Sequence, residues 1–300
     1  MADPLIHESA NPPAGEPAPA NAAALIRLQG VYYTYSVNTD QAIPALGGID
    51  LEIATGEHIA IVGANGSGKS TLARHLNGLL VPTTGDVWVQ GLNTRDPAHT
   101  RTIHHTVAMV FQNPDTQIIS TVVEEDTAFG PENLGLPHAE LRARVDWALE
   151  VVRLSELRRR SPHNLSGGQK QRLALAGALA MQPACLVLDE ATAMLDAAGR
   201  RAVHEIIAQL HQQGMAVVTI TQNMAEAAQA ERIVALAAGQ VVRQGPPRKL
   251  LTDEALLHEL GLDLPPMVRL ARQLHARRPA FPPDRLTPTE MIAALRGGAP

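Results

Sequence analysis

Eight consecutive residues, Gly63-Ala-Asn-Gly-Ser-Gly68-Lys69-Ser70, place glycines ahead of a lysine and a hydroxyl. Glycines let a backbone curl until successive amides point at one anion, and a helix N-terminus adds partial positive charge at that point. The run follows an apolar stretch, His58 to Val62, and precedes a helical pattern, Thr71 to Leu80. The spacing Gly-x4-Gly-Lys-Ser thus occurs between strand and helix, as a phosphate cradle requires. Lys69 is expected at the β and γ phosphates of a nucleotide, and Ser70 on Mg²⁺. Gly63, Asn65, Gly66, Ser67, Gly68, Lys69, Ser70 and Thr71 form the expected nucleotide contacts.

Two carboxylates close another apolar run, Leu186-Val187-Leu188-Asp189-Glu190. Asp189, at the end of the hydrophobic stretch, suits the acid that directs Mg²⁺. Glu190, one step further out, suits the group that orients and polarises the attacking water. A third cluster, Leu165-Ser166-Gly167-Gly168-Gln169-Lys170-Gln171-Arg172, leads into an Ala- and Leu-rich helix that Pro183 closes. Ser166 caps that helix, and the glycines leave its first amides bare, giving a second anion site at Ser166, Gly167, Gly168 and Gln169. One domain has no use for two γ-phosphate sites. Two chains packed head to tail would lay this cluster over the partner's ATP.

The elements that must hold these groups alternate between short apolar runs and amphipathic segments, the pattern of an α/β domain. Strands are expected at His58 to Val62, Val107 to Phe111, Cys185 to Leu188, Ala216 to Thr221 and Ile233 to Leu236. Leu141, Val145, Ala148, Leu149 and Val152 recur at helical spacing, which places an inserted helical subdomain at roughly 113–165. After Gly245 a small appendage follows, with one helix capped at Thr252 and stopped by Gly261. A second, opened by Thr287-Pro288-Thr289-Glu290, carries the spacing of a capping box with Pro at the first helical position. Residues 1–24 contain eight Ala and five Pro without periodicity, and are expected to form a disordered leader.

Three motifs in this order resemble the ABC ATPase family over residues 25–245. The resemblance implies a P-loop NTPase domain of the ABC type, with ATP and Mg²⁺ as cofactors. It makes Gln112 the glutamine that touches Mg²⁺ and senses a membrane subunit, and puts Asp196 at the dimer seam. Tyr35 is similar to the aromatic that stacks on adenine, with Tyr33 the alternative. Where the family has a histidine at the γ-phosphate, this chain has Gln222, which can hydrogen-bond a phosphate but cannot become cationic. Gln222 joins Glu190 and Lys69 as the expected catalytic set.

Phe111-Gln-Asn-Pro-Asp-Thr-Gln117, Thr121-Val-Val-Glu-Glu-Asp126 and Ala128-Phe-Gly-Pro-Glu-Asn-Leu-Gly-Leu136 resemble the energy-coupling-factor and cobalt-transport ATPases. That resemblance implies an importer of a vitamin or transition-metal ion, seated on the cytoplasmic face of the cell membrane. It implies three partners: a second ATPase, paralogous or identical, a transmembrane coupling protein, and a small substrate-binding membrane protein. It also makes residues 246–300 a dimerisation appendage. Two alternatives stay open: a soluble ABC ATPase outside transport, and a weakly hydrolysing regulatory subunit.

Composition narrows the classes further. With a net charge of -5 and a pI near 6.2, the chain is not built to grip nucleic acid by its phosphates. No run approaches the ~20 apolar residues of a membrane span. Cys185, the single cysteine, lies within an apolar strand and reads as core. Arg158-Arg159-Arg160 reads as a solvated helix end.

Overall fold

The structure, a computed structural model, describes residues 24–36 and 42–296. Its strands are β1 (Ala24–Tyr35), β2 (Ile43–Ala54), β3 (His58–Val62), β4 (Thr84–Val89), β5 (Leu92–Asn93), β6 (Val107–Val110), β7 (Cys185–Asp189), β8 (Ala216–Ile220), β9 (Arg232–Ala237) and β10 (Gln240–Gly245). The helices up to the third motif are α1 (Lys69–Leu76), α2 (Thr100–Thr106), α3 (Val123–Asn133), α4 (His138–Val151) and α5 (Gly167–Ala180). After it come α6 (Ala197–Gln212), α7 (Met224–Ala227), α8 (Pro247–Leu251), α9 (Glu254–Glu259), α10 (Pro266–Arg277) and α11 (Pro288–Leu295).

One sheet has the order β10-β9-β3-β8-β7-β6, parallel except for β10, which pairs antiparallel with β9. Every residue of β3, β6 and β7 is buried, as expected for strands covered on both faces. A second, antiparallel sheet has the order β2-β1-β4-β5. The two sheets and α1 share one core, in which Ile26, Ile49, Ile53, Ile59, Ile61 and Leu72 are fully buried. A further core joins α3, α4, α5 and α6 to β6 and β7, and another joins β9 to α7 through α10. α6 shows why it packs: Val203, Ile206, Ile207 and Leu210 recur at helical spacing and are all buried.

The five expected strands are present, yet the antiparallel sheet and β10 carried no clear signal. β1 breaks register against β2 at four places, and Gly30 takes φ 53°, so the alternation that betrays a strand is interrupted. α1 ends at Leu76, short of Leu80, because Gly78 takes φ 74°. The leader lies outside the described residues except for Ala24, which opens β1.

Local details correct other expectations. Asp253, not Thr252, caps α9, its side chain accepting from the Leu256 amide, and Gly261 follows at φ 65°. Thr287 accepts from the Glu290 amide, but Glu290 reaches back to the Leu286 amide instead of completing a reciprocal box. Arg158 is no solvated helix end. Its guanidinium binds Glu124 at 2.8 Å and Asp146 at 2.6 Å, tying α3 to α4. The carbonyls of Arg160 and Arg158 also accept the first amides of α3, from Val123 and Glu124. Cys185 is buried, and burial pushes its thiol up to about 12.

Candidate active site

The loop between β3 and α1 closes tightly on its surroundings. A methyl at Gly63 would stand 2.1 Å from the Leu236 carbonyl of β9, and one at Gly68 2.6 Å from the Ala45 carbonyl of β2. Glycine is therefore the residue that lets this loop wedge between the two sheets. The Lys69 ammonium donates to the carbonyls of Gly63 (2.9 Å) and Ala64 (2.8 Å). Burial pulls its pKa down, against the Glu190 and Asp189 carboxylates, which pull it up.

Next to the lysine, the Ser70 hydroxyl donates to Asp189 Oδ1 at 3.0 Å across from the end of β7. Burial raises the Asp189 carboxyl, the Ser70 hydrogen bond opposes that, and the neighbouring Glu190 adds to it. Glu190 stands just beyond the strand at φ 49°, a costly conformation for a residue with a Cβ, held by its amide donating to the Ile220 carbonyl. The Gln112 amide donates to Glu190 Oε2 at 3.0 Å. The Gln222 amide donates to Glu190 Oε1 at 2.9 Å and to Asn65 Oδ1 at 2.7 Å.

Lys69, Ser70, Gln112 and Glu190 open on one cleft of about 360 Å³, lined also by Tyr35, Asn65, Gly66, Gly68 and Thr71 with Ile43, Pro44 and Ala45 of β2, while Gln222 lines a neighbouring cavity that shares Glu190. Tyr35 reaches it and shares a hydrogen bond of 3.1 Å with Thr71. Tyr33 instead packs into the core, its ring edge-on to Tyr35 and to His75, so geometry favours Tyr35 at the cleft. Sequence reasoning missed Ile43 to Ala45, since nothing in three small or apolar residues marks a wall. It also missed why the segment after Phe111 is distinctive. Gln117 accepts from the Phe111 amide at 2.8 Å and donates to the Met109 carbonyl at 3.1 Å, bracing the stretch that carries Gln112.

Ser166, Gly167, Gly168 and Gln169 do not line this cleft. Ser166 and Gln169 form a full capping box at the start of α5, leaving its N-terminus facing outward with Ser166 and Gly167 exposed. α6 begins alongside, where Asp196 caps its first turn by accepting from Gly199. Two bonds connect α5 to the Gln112 segment: Lys170 to Asp115 at 2.7 Å, and the Gln171 amide to the Phe111 carbonyl at 3.2 Å.

The residues present fit ATP and Mg²⁺. Amide-lined turns and Lys69 suit phosphates, while the hydroxyl and carboxylate of Ser70 and Asp189 with the Gln112 amide form an oxygen set for a hard cation. Mg²⁺ would there offset the adjacent charges of Asp189 and Glu190 and polarise phosphate oxygens. The site is that of a P-loop ATPase, and the N-terminus of α5 lies outside its cleft.

Comparison with known proteins agrees. The ABC transporter family model matches residues 46–193. The energy-coupling factor transporter ATP-binding protein EcfA1 of Symbiobacterium thermophilum is 55% identical over 275 residues, covering 90% of this chain and 96% of that protein. EcfA1 of Caldanaerobacter subterraneus subsp. tengcongensis is 47% identical, over 90% of this chain and 98% of that one. The solved structure of cbiO1 from Clostridium perfringens, part of the ABC transporter complex cbiONQ, matches with a TM-score of 0.72 at 30% identity, covering 86% of this chain and 96% of that one. A dimeric ATP-binding cassette in a post-hydrolysis state with ADP and Pi matches with a TM-score of 0.68 at 30% identity, over 74% of this chain and 98% of that one. This chain belongs to the ABC transporter family, in its energy-coupling-factor group of ATP-binding subunits. It is an ATPase that uses ATP with Mg²⁺.

Proposed function

We propose that this chain supplies one half of a two-site ATPase on the cytoplasmic face of a cell membrane, powering uptake of a vitamin or a transition-metal ion. Among the described residues no helix is long and apolar enough to cross a membrane, so cargo passage falls to other polypeptides. A transmembrane coupling protein would receive the motion of the Gln112 segment, and a small membrane protein would select the cargo. Residues 246–300 would help hold the two ATPases together. Relatives named as transporter subunits over nine-tenths of the chain favour this over an ATPase outside transport.

The observation that carries the reading is the convergence of Lys69, Ser70, Gln112 and Glu190 on one cleft, with Asp189 hydrogen-bonded to Ser70. Within it Lys69 holds the β and γ phosphates, Asp189 and Ser70 direct Mg²⁺, and Glu190 polarises the attacking water. Gln112 contacts both Glu190 and, through Phe111 and Asp115, the start of α5, so closure over nucleotide and the position of Ser166 move together. Ser166 to Gln169 then cover the partner's ATP.

Glu190→Gln tests the assignment. The variant should bind ATP, lose turnover by about three orders of magnitude, and accumulate as a closed ATP-bound dimer measurable by light scattering. Wild-type turnover in that variant would move catalysis to another group.

A further inference from the structure

We propose that Glu226 is a positioning residue for hydrolysis, its buried carboxylate fastening the loop that carries Glu190 to the loop that carries Gln222. The proposal rests on the reading that those two side chains serve hydrolysis.

Glu226 stands on α7 and is only 6% exposed. The Thr192 hydroxyl donates to its Oε1, and the Thr221 hydroxyl donates to its Oε2 at 2.8 Å. Thr192 lies two residues after Glu190, and Thr221 immediately precedes Gln222. One carboxylate thus holds both backbones close to the point where the Gln222 amide meets Glu190 Oε1 at 2.9 Å. The Thr221 hydroxyl also accepts from the Asn223 amide, and Asn223 in turn caps α7 by accepting from Ala225. The loop is therefore closed on the helix that bears Glu226.

Hydrogen bonds, not close packing, set the place of this carboxylate. Behind it lies a cavity of about 150 Å³ bounded by α6 and the sheet, with His58, His204, Ile207 and His211 among its walls. A side chain beside open space stays where its polar contacts put it. Burial opposes its charge, but the contacts from His204, Thr192 and Thr221 outweigh that and hold the carboxyl below its ordinary range. His204 Nε2 stands 3.3 Å from Oε1, and Arg200 Nε 3.9 Å away, so α6 is tied to the same point.

α6 gives the arrangement a reach beyond the cleft. Its cap, Asp196, belongs to the segment expected at the dimer seam, and the Leu195 amide just before it donates to the Thr192 carbonyl at 3.1 Å. Arg200 also donates to the Leu195 carbonyl at 3.2 Å. A displacement of the Asp196 turn by the partner chain would pull on Thr192, and through Glu226 on the spacing of Glu190 and Gln222.

The test separates hydroxyls from bulk. In the full chain, the double variant Thr192→Val with Thr221→Val keeps size but removes both donors, while Thr192→Ser with Thr221→Ser keeps them. The valine pair should lower kcat about 10- to 100-fold with ATP affinity unchanged, and lower the melting temperature as well because the buried carboxylate loses two donors, while the serine pair should restore both. Glu226→Gln should lower kcat in the same way, and if it fails to fold the threonine pairs decide. Wild-type kcat in the valine pair overturns the proposal, as does a loss of kcat that only follows lost ATP affinity. Glu190→Gln is measured in parallel. If it turns over normally, the underlying reading of the hydrolytic site fails; if it is inactive while the valine pair is normal, only the role of Glu226 fails.

Discussion

Glu190 is held at rest by two neutral amides, from Gln112 on one oxygen and Gln222 on the other. A carboxylate that must polarise water has to give up at least one of these contacts, so the strength of each amide bears on the rate. Gln222 divides its amide between Glu190 and Asn65, and so is tied to two residues that line the cleft. A histidine there could donate with a positive charge, and charge-assisted hydrogen bonds to phosphate are about twice as strong as neutral ones. With the partner's catalytic glutamate neutralised so that only this chain's site works, Gln222→His should raise turnover about 10- to 100-fold. Gln222→Leu, which removes the donor, should lower it. Equal rates in all three chains would show that position 222 takes no part in hydrolysis.

At the scale of elements, the cleft depends on how closely the β3 to α1 loop enters between β2 and β9. A methyl at Gly63 would meet a backbone carbonyl at 2.1 Å, and a strand inside a sheet cannot retreat as a flexible side chain can. Gly66 takes φ 77° but has open space around it. Gly66→Ala should therefore cost about 1–2 kcal/mol of backbone strain, whereas Gly63→Ala should cost about 3 kcal/mol or more. Melting curves without nucleotide check the ordering, and equal losses would mean that the contact with β9 does not govern the loop. The same contrast explains what the sequence could reveal. Fully buried parallel strands such as β3 and β7 read as unbroken apolar runs, and each delivers its functional residues at a fixed end. The bulged β1 and the largely exposed β10 lack any such run, so the second sheet stayed hidden, and with it the Ile43 to Ala45 wall. Glu226 was invisible for another reason. An acid in a short helix is normally solvated, and only the tertiary placing of Thr192 and Thr221 makes it a junction.

At the scale of the whole molecule, β3 and α6 come together where the rings of His58 and His211 stand 5.5 Å apart. His58 is 6% exposed, and its Nε2 contacts the Thr219 hydroxyl at 3.1 Å. Burial first, and then the proximity of His211 and His204, brings its pKa from 6.5 down to about 4. The unfolded chain therefore binds a proton at this residue that the folded chain refuses, at every pH between those values. Stability falls as the pH drops below 6.5, by about 1.4 kcal/mol per unit for this group, and levels off near the folded value. Glu226 acts in the next window, since its lowered carboxyl stabilises the fold above its ordinary pKa of 4.5 and loses that contribution as the pH falls through the folded value. The two losses follow one another in acid instead of cancelling. Between pH 6.5 and 5, His58 alone should account for about 2 kcal/mol. His58→Gln keeps a neutral hydrogen-bonding side chain without the titration, so its stability curve should be shallower than that of the natural chain by that amount over the same interval. His75 and His104, also lowered by burial, contribute equally to both curves and drop out of the difference. Denaturant unfolding of the two chains at pH 7.5, 6.5, 5.5 and 5 measures it, and parallel curves would mean that His58 accepts its proton in the folded state as readily as in the unfolded one.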